Sequence, residues 1–225
     1  RPPKSVLWFN GPAGAGKTCI MREVMARCIS LTNTIALSYF FSSRIAGLNN
    51  ANPFVATIAH QLSYMGFPAL KQSILDAVTD HPFVFKDGLE AQAEVLLFRP
   101  LQDLGPSSGL ESQKRVVLLI DGLDECRDES QRKHLISLLL SLARRLAPFF
   151  VVVIASRPEL DIRMSFDDPA TAEAIEQAVL LALPVKPFEQ FIVGAPLVAI
   201  KMMRVMSEKM TELQGKLQEL TGLDV

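Results

Sequence analysis

Residues 11–18 read Gly11-Pro12-Ala13-Gly14-Ala15-Gly16-Lys17-Thr18 and match the pattern G-x-x-x-x-G-K-[ST] in full. The octapeptide follows a hydrophobic run, Val6 to Phe9, and precedes a stretch with helical periodicity. Glycines let the backbone curl so that several N–H groups face one anion. The pattern therefore predicts a phosphate-binding loop. A Gly-rich turn that merely joins strand to helix is the weaker alternative, because strand, loop and helix occur in the required order.

The loop residues carry separate parts of the predicted chemistry. Lys17 would reach the β- and γ-phosphates as a mobile charge, and the Thr18 hydroxyl would complete the shell of a Mg²⁺ ion. The helix that follows would place its positive end under the phosphates. The predicted nucleotide-binding positions are Gly11, Pro12, Ala13, Gly14, Ala15, Gly16, Lys17, Thr18 and Cys19.

A second motif is acidic. The apolar run Val116–Ile120 ends at Asp121, the arrangement that holds the Mg²⁺ of a nucleoside triphosphate through water. Asp124 and Glu125 follow within one turn, and either could orient or deprotonate an attacking water. Crowded carboxylates near a phosphate require a divalent cation, so the motif favours a metal site with Thr18 and Asp121 as its ligands. A solvated acidic turn is the weaker alternative.

A third motif is an arginine after a predicted strand. Phe149–Ala155 is followed by Ser156-Arg157-Pro158. A guanidinium at a strand end can make planar contacts with the oxygens of a γ-phosphate and so detect its presence. The alternative is a surface arginine that pairs with Glu159 or Asp161, and the motif alone favours neither.

Strand and helix patterns alternate along the chain. The predicted buried parallel strands are Ser5–Phe9, Ile35–Phe41, Val116–Ile120 and Phe149–Ala155. The predicted helices follow the phosphate loop, run from about Pro53 to Met65, and run from near Asp128 to Pro148. The last of these is expected to begin with Asp128 and Gln131 as a capping-box pair. The apolar residues expected on the helical stripes are Phe54, Ile58 and Leu62 in the second helix and Leu135, Leu138, Leu139, Leu142 and Leu146 in the third. This order predicts an α/β fold of the P-loop NTPase type: three α/β/α layers, a mostly parallel central sheet and a C-terminal helical extension.

The predicted domain division lies at residue 166. Residues 1–166 form the NTPase domain, and residues 167–225 form a segment that ends in an amphipathic helix. Within that segment we expect a short helix over Pro169–Ala178 and a strand over Leu180–Val185. From Ala199 to Leu220, apolar residues alternate spacings of four and three, a heptad seam that suits a helix packed on its own domain better than a dimeric coiled coil.

The composition argues against a nucleic-acid-binding protein and against a membrane-spanning one. The 225 residues carry a formal net charge of −1, which gives no electrostatic footprint for nucleic acid. The apolar stretches are too short to span a bilayer, so no membrane partner is expected. Three cysteines without C-x-x-C spacing favour a reduced, cytoplasmic setting. The first residue is Arg1 rather than Met, which predicts a fragment of a longer protein.

Taken together, the phosphate loop, Asp121-Gly122-Leu123-Asp124-Glu125 and Ser156-Arg157-Pro158 resemble the NACHT NTPases, signal-transduction ATPases with numerous domains, and in particular the fungal type also described as nephrocystin-3-like. Residues 38–44 and 53–62 are similar to two further segments of that group. The resemblance covers about Val6 to Arg163. It implies that Gly16, Lys17 and Thr18 bind phosphate and magnesium and that Asp121 is the Walker B acid. It also implies that Asp124 and Glu125 are a catalytic acidic pair, that Arg157 is a sensor, and that the Arg157 strand lies between the other two motif-bearing strands.

The resemblance also implies a function. Such proteins are similar to switches that ADP holds closed and ATP opens, with homo-oligomer formation on activation and with effector and repeat domains elsewhere in the protein. The leading hypothesis is an ATP-binding, slowly hydrolysing switch module. The alternative is a scaffold that nucleotide only stabilises and that assembles through its C-terminal helix. A small-molecule phosphotransferase is less favoured because the sequence lacks an arginine-rich lid, and guanine specificity is unsupported because it lacks N-K-x-D.

Overall fold

The computed structural model describes residues 5–31, 34–65, 68–103, 115–147, 149–168 and 175–179, together with positions 211 and 215. Within these residues, five parallel strands form one sheet in the order β2-β3-β4-β1-β5. Their bounds are β1 Val6–Asn10, β2 Thr34–Phe40, β3 Arg115–Asp121, β4 Phe150–Ser156 and β5 Ile175–Val179. The predicted α/β class with a parallel sheet is confirmed, and β4 lies between β1 and β3 as the resemblance implied.

Helices cover both faces of the sheet. Their bounds are α1 Lys17–Ser30, α2 Phe54–Met65, α3 Pro68–Asp80, α4 Leu89–Ala93, α5 Arg99–Asp103, α6 Glu129–Arg145 and α7 Leu160–Asp167. Short 3₁₀ turns occupy Val84–Lys86 and Leu123–Glu125. A π-helical segment, Glu94–Phe98, joins α4 to α5 and precedes Pro100, whose nitrogen has no hydrogen to donate to the preceding turn.

The two faces bury different amounts of apolar surface. On one face Met21 and Cys28 of α1 pack against strand residues such as Leu119 and Val153. The larger cluster lies on the opposite face, where α2, α6 and α7 pack over residues such as Trp8. The leucines predicted as the buried face of α6 are all buried: Leu135, Leu138, Leu139, Leu142 and Leu146.

The capping prediction for α6 is half correct. The Asp128 side chain accepts a hydrogen bond from the Gln131 backbone N–H at 3.0 Å. The Gln131 side chain does not return the bond, since its Oε1 instead accepts from the Ala51 N–H at 3.0 Å. Gln131 therefore ties α6 to the segment between β2 and α2.

The edge strand β2 is protected by α2. Ser38 of β2 donates its N–H to Gln61 Oε1 at 2.9 Å, and its carbonyl oxygen accepts from Gln61 Nε2 at 2.8 Å. An unpaired strand edge is a template for pairing with another chain. One amide side chain thus satisfies both backbone groups of Ser38.

The region after Phe166 differs from the prediction. Ile175–Val179 is a strand, paired in parallel with β1 so that Val6 lies opposite Ile175, and the expected helix over Pro169–Ala178 is therefore wrong there. Pairing with β1 outweighs the helical propensity of this short segment. The sheet thus continues beyond residue 166. The expected strand over Leu180–Val185 and the heptad seam from Ala199 lie outside the described residues, apart from helical positions 211 and 215. Among the described helices, none has the length and apolarity to cross a membrane.

Candidate functional site

The loop at residues 11–18 lies between β1 and α1 at the carboxyl edge of the sheet. Gly14 and Gly16 have φ of 77° and 82°, in the left-handed region that favours glycine. Nothing lies within 4 Å of the position that a Cβ would take at either residue. The predicted strand, loop and helix order is therefore present, with open space beside the loop.

The Lys17 side chain folds back over its own loop. Its Nζ donates to the carbonyl oxygens of Gly11 at 2.7 Å and Pro12 at 2.8 Å. Burial lowers the pKa of the Lys17 ammonium, and nearby Arg157 lowers it further, while Asp124 and Asp121 oppose the shift. The ammonium group is thus only partly compensated by protein groups, and an additional anion at this position would stabilise its charge.

Asp121 and Thr18 join the loop to the acidic motif. The side chains of Thr18 and Asp121 are neighbours. Asp121 is only 6 % exposed, and this burial raises its pKa, although hydrogen bonding from Thr18 and the nearby Lys17 act to lower it. The hydroxyl and the carboxylate predicted to share a metal ion therefore lie side by side.

The strand register explains why Thr18 and Asp121 are close. Asn10 at the end of β1 lies opposite Ser156 of β4, and Asp121 at the end of β3 lies opposite Ala155 of β4. All three strands therefore end at one level, and the phosphate loop and Asp121 are separated by the width of a single strand. The left-handed Gly122, at φ 70°, then turns the chain sharply after Asp121.

Asp124 is paired with Arg157. Its carboxylate accepts from the Arg157 backbone N–H at 2.9 Å and lies 3.3 Å from the guanidinium Nε. The side chain of Asp124 is 9 % exposed and that of Arg157 is 51 % exposed. Neither surface pairing considered from the sequence occurs for Arg157 in the described residues, since Asp161 instead pairs with Arg132 at 2.6 Å. This arrangement holds Arg157 at the end of β4 while its guanidinium stays accessible.

Glu125 has a different partner. Its Oε2 accepts from the backbone N–H of Ser43 at 2.8 Å and from the Ser43 hydroxyl at 3.0 Å. Ser43 follows β2, and its carbonyl oxygen in turn accepts from Arg127 Nη2 at 2.7 Å. The 3₁₀ turn makes this possible, because it buries Leu123 and leaves Asp124 and Glu125 partly accessible.

A cleft of about 460 Å³ lies beside these groups. Its lining combines three arginines, three carboxylates and two serines: Ser42, Ser43, Arg44, Asp124, Glu125, Arg127, Arg157 and Glu159. The cleft is therefore strongly polar and contains both predicted water-activating carboxylates.

A buried ion pair between α6 and α7 lies next to the site. Arg132 at the start of α6 binds Asp161 of α7 through its Nε at 2.6 Å, and its Nη1 donates to the Cys126 carbonyl oxygen at 2.7 Å. The side chains of Arg132 and Asp161 are only 12 % and 10 % exposed. The pair joins the residue that follows the acidic motif to the helix that follows Arg157.

The structure brings most of the predicted site residues together. Lys17, Thr18, Asp121, Asp124 and Arg157 interact with one another. Cys19 is exposed on the first turn of α1, and no described contact links it to the acidic motif.

The sequence interpretation assigned no role to Ser43 or Arg127. The sequence did contain a feature that could have pointed to Ser43, because polar residues 42–44 follow the strand next to β3. Ligands commonly bind at the carboxyl ends of parallel strands.

The profile of the family described as Nephrocystin 3, N-terminal matches residues 1–157. No curated protein matches the sequence.

Similar solved structures include three Drosophila complexes. "Structure of Drosophila ORC bound to DNA" has a TM-score of 0.48 and 13 % identity, covering 98 % of this chain and 48 % of that one. "Structure of Drosophila ORC bound to AT-rich DNA and Cdc6" has a TM-score of 0.47 and 11 % identity, covering 80 % and 50 %. "Structure of Drosophila ORC bound to poly(dA/dT) DNA and Cdc6 (conformation 1)" has a TM-score of 0.46 and 11 % identity, covering 87 % and 28 %. This chain thus spans half or less of the length of each.

Proposed function

As this chain belongs to the nephrocystin 3 N-terminal family, we propose that it is a nucleotide-binding module that takes ATP and ADP with Mg²⁺ and hydrolyses ATP slowly. We further propose that it serves as the NACHT-type switch of a larger cytoplasmic signalling protein of the self-recognition or innate-immunity kind. In that protein, opening by ATP drives homo-oligomer formation and exposes an effector domain. The observation that carries the nucleotide assignment is the strand register, which places Asp121 at the end of β3 beside Thr18 of the phosphate loop and so brings both motifs into one site.

The donor set fits a magnesium–nucleotide complex. The loop offers backbone N–H groups, an ammonium at Lys17 and open space beside Gly14 and Gly16. Thr18 and Asp121 supply the hydroxyl and carboxylate oxygens that Mg²⁺ prefers. When bound, the ion would neutralise phosphate charge, chemistry that the carboxylates cannot supply.

Each side chain has a defined task in this proposal. Lys17 would exchange the Gly11 and Pro12 carbonyls for phosphate oxygens, whose negative charge would offset the solvation that its ammonium group loses on burial. Arg157 would contact the γ-phosphate while Asp124 holds its backbone and its Nε. Glu125 would accept the proton of the attacking water.

Arg157 supplies the energetic basis for switching. A ligand shifts a conformational equilibrium only if its affinity differs between the two states. ATP and ADP differ by the γ-phosphate, so a group that contacts only this phosphate can make their affinities differ. The exposed guanidinium of Arg157 meets that requirement.

Calorimetry with Mg-ATP tests the nucleotide assignment. Lys17→Ala should lose most of the affinity and keep the fold, while the control Lys71→Ala, which changes an exposed lysine of α3, should bind like wild type. Equal affinity in Lys17→Ala and wild type would contradict the proposal.

Phosphate release separates the switch from the scaffold. Wild type should release phosphate slowly from Mg-ATP, and Glu125→Gln should bind ATP without releasing it. Tight binding by wild type with no turnover would instead support the non-hydrolysing scaffold.

A further inference from the structure

We propose that Ser43 is a positioning residue that orients the Glu125 carboxylate for water activation, and that Arg127 in turn fixes Ser43. This inference rests on the proposed ATP hydrolysis. Neither residue has a role in the predicted phosphate, metal or sensor motifs.

The first step of the argument is the geometry at Glu125. Two donors of Ser43, the backbone N–H at 2.8 Å and the hydroxyl at 3.0 Å, converge on the same oxygen, Oε2. Two hydrogen bonds to one oxygen restrict the rotation of the carboxylate group. Among the described residues, no hydrogen bond to the other oxygen, Oε1, is present, so Oε1 is the oxygen available to a water molecule in the cleft.

The second step is how Ser43 itself is held. Arg127 donates from Nη2 to the Ser43 carbonyl oxygen at 2.7 Å and from its backbone N–H to the Asn49 carbonyl oxygen at 3.0 Å. The loop that contains Ser43 is also held by a hydrogen bond from the Ser42 N–H to the Leu48 carbonyl oxygen at 2.9 Å. Arg127, two positions after Glu125, thus holds both ends of the segment 43–49.

The third step is why the orientation of Glu125 matters for the reaction. In the proposed reaction the water oxygen forms a bond to the γ-phosphorus while Glu125 accepts one water proton. The bond from the γ-phosphorus to the bridging oxygen breaks, and its electron pair leaves with ADP. The proton later returns from Glu125 to solvent. A general base must lie within hydrogen-bond reach of the proton it accepts, so a freely rotating carboxylate is less effective.

The test compares turnover with affinity. Ser43→Ala keeps the backbone donor and loses the hydroxyl donor, so kcat should fall roughly tenfold while the KM and Kd for Mg-ATP stay within about twofold, the size expected for one hydrogen bond to a charged group. Ser43→Thr keeps the hydroxyl and should recover most of the turnover. Ser30→Ala is the matched control, because it removes a serine hydroxyl at the far end of α1 and should behave like wild type.

A double-variant cycle tests the role of Arg127. Arg127→Ala should lower kcat less than Ser43→Ala does, and the combined variant should lose less than the product of the two single effects, because both act through the same carboxylate. Fully independent effects would exclude the proposed Arg127–Ser43–Glu125 connection.

Amide hydrogen exchange supplies a readout that needs no turnover. Glu125→Ala removes the acceptor of the Ser43 N–H, so exchange at residue 43 should accelerate in the nucleotide-free protein, while exchange in the core of β4 stays as in wild type.

Four outcomes would overturn the positioning role. They are unchanged turnover in Ser43→Ala, raised turnover, loss of turnover in proportion to loss of ATP affinity, and unchanged exchange at residue 43 in Glu125→Ala. In each case the wild type still binds and hydrolyses ATP, so the proposed function survives. A wild type that binds ATP without turnover would refute the hydrolysis and this inference together.

Discussion

Replacing Asp121 by Asn should make the nucleotide-free protein more stable. Asp121 is 6 % exposed, and burial raises its pKa even though hydrogen bonding from Thr18 and the nearby Lys17 act to lower it. An asparagine has nearly the same shape, and its Oδ1 can still accept a hydrogen bond. Removing the desolvated charge should therefore stabilise the fold by about 1 kcal/mol, or roughly 2–4 °C in Tm.

The order of stabilities should reverse when Mg-ATP is added. A ligand at about one hundred times its Kd stabilises the wild type by about 2.7 kcal/mol. Asp121→Asn lacks the carboxylate that would bind the metal and should gain much less. Thermal unfolding followed by circular dichroism, with and without Mg-ATP, measures both differences.

The pH dependence of stability gives an independent check that the Asp121 charge destabilises the nucleotide-free fold. The folded-state pKa of Asp121 is above its unfolded value, so the folded protein takes up this proton first as the pH falls. The burial cost is fully present above the folded pKa and disappears as the pH falls through that pKa towards about pH 4, the unfolded value. The stability advantage of Asp121→Asn should therefore shrink on acidification. A wild type that is more stable than Asp121→Asn without nucleotide at neutral pH would refute the reasoning.

Three further predictions concern Arg157, Asp161 and Gly122. Arg157→Ala should lower the preference for ATP over ADP roughly tenfold, with Asp124→Asn acting in the same direction but less, as measured by calorimetry with each nucleotide. Asp161→Ala should lower the free energy of unfolding in urea by about 3 kcal/mol, because it leaves the buried charge of Arg132 unpaired. Gly122→Ala should destabilise the protein by about 1–3 kcal/mol in the same assay and slow turnover, because φ is 70° and the new Cβ would lie 3.2 Å from a backbone carbonyl oxygen.

Each of these has its own control. An unchanged ratio of the two nucleotide affinities would reject the sensor role of Arg157. Converting both Arg132 and Asp161 to leucine should recover part of the loss seen in Asp161→Ala, since no unpaired charge remains. Gly47 also has a positive φ, 86°, but has nothing within 4 Å of its Cβ position, so Gly47→Ala isolates the backbone strain from the steric contact.

Local patterns were sufficient for the elements that carry the motifs. The four predicted strands lie within about one residue of β1 to β4, and α2 covers the predicted Phe54, Ile58 and Leu62 with all three buried. Long apolar runs and helical periodicity report burial directly, because the residues that face the core must be apolar. Where the pattern was short, the prediction failed: Ile175–Val179 is a strand because β1 is there to pair with it. The helices between Pro68 and Asp103 were not predicted, and the π-helical segment among them has no simple periodicity.

The identity of the phosphate loop, the acidic motif and the arginine at the end of β4 could be predicted from residue types at fixed spacing, because chemistry that needs several N–H donors, an ammonium and carboxylates restricts which residues can stand there. The residues that bind to those groups could not be predicted in this way. Asp124 with Arg157, Glu125 with Ser43 and Arg132 with Asp161 are separated by 33, 82 and 29 positions along the chain. Strand order and register bring them together, and these depend on how the whole sheet packs, which no local stretch of sequence contains.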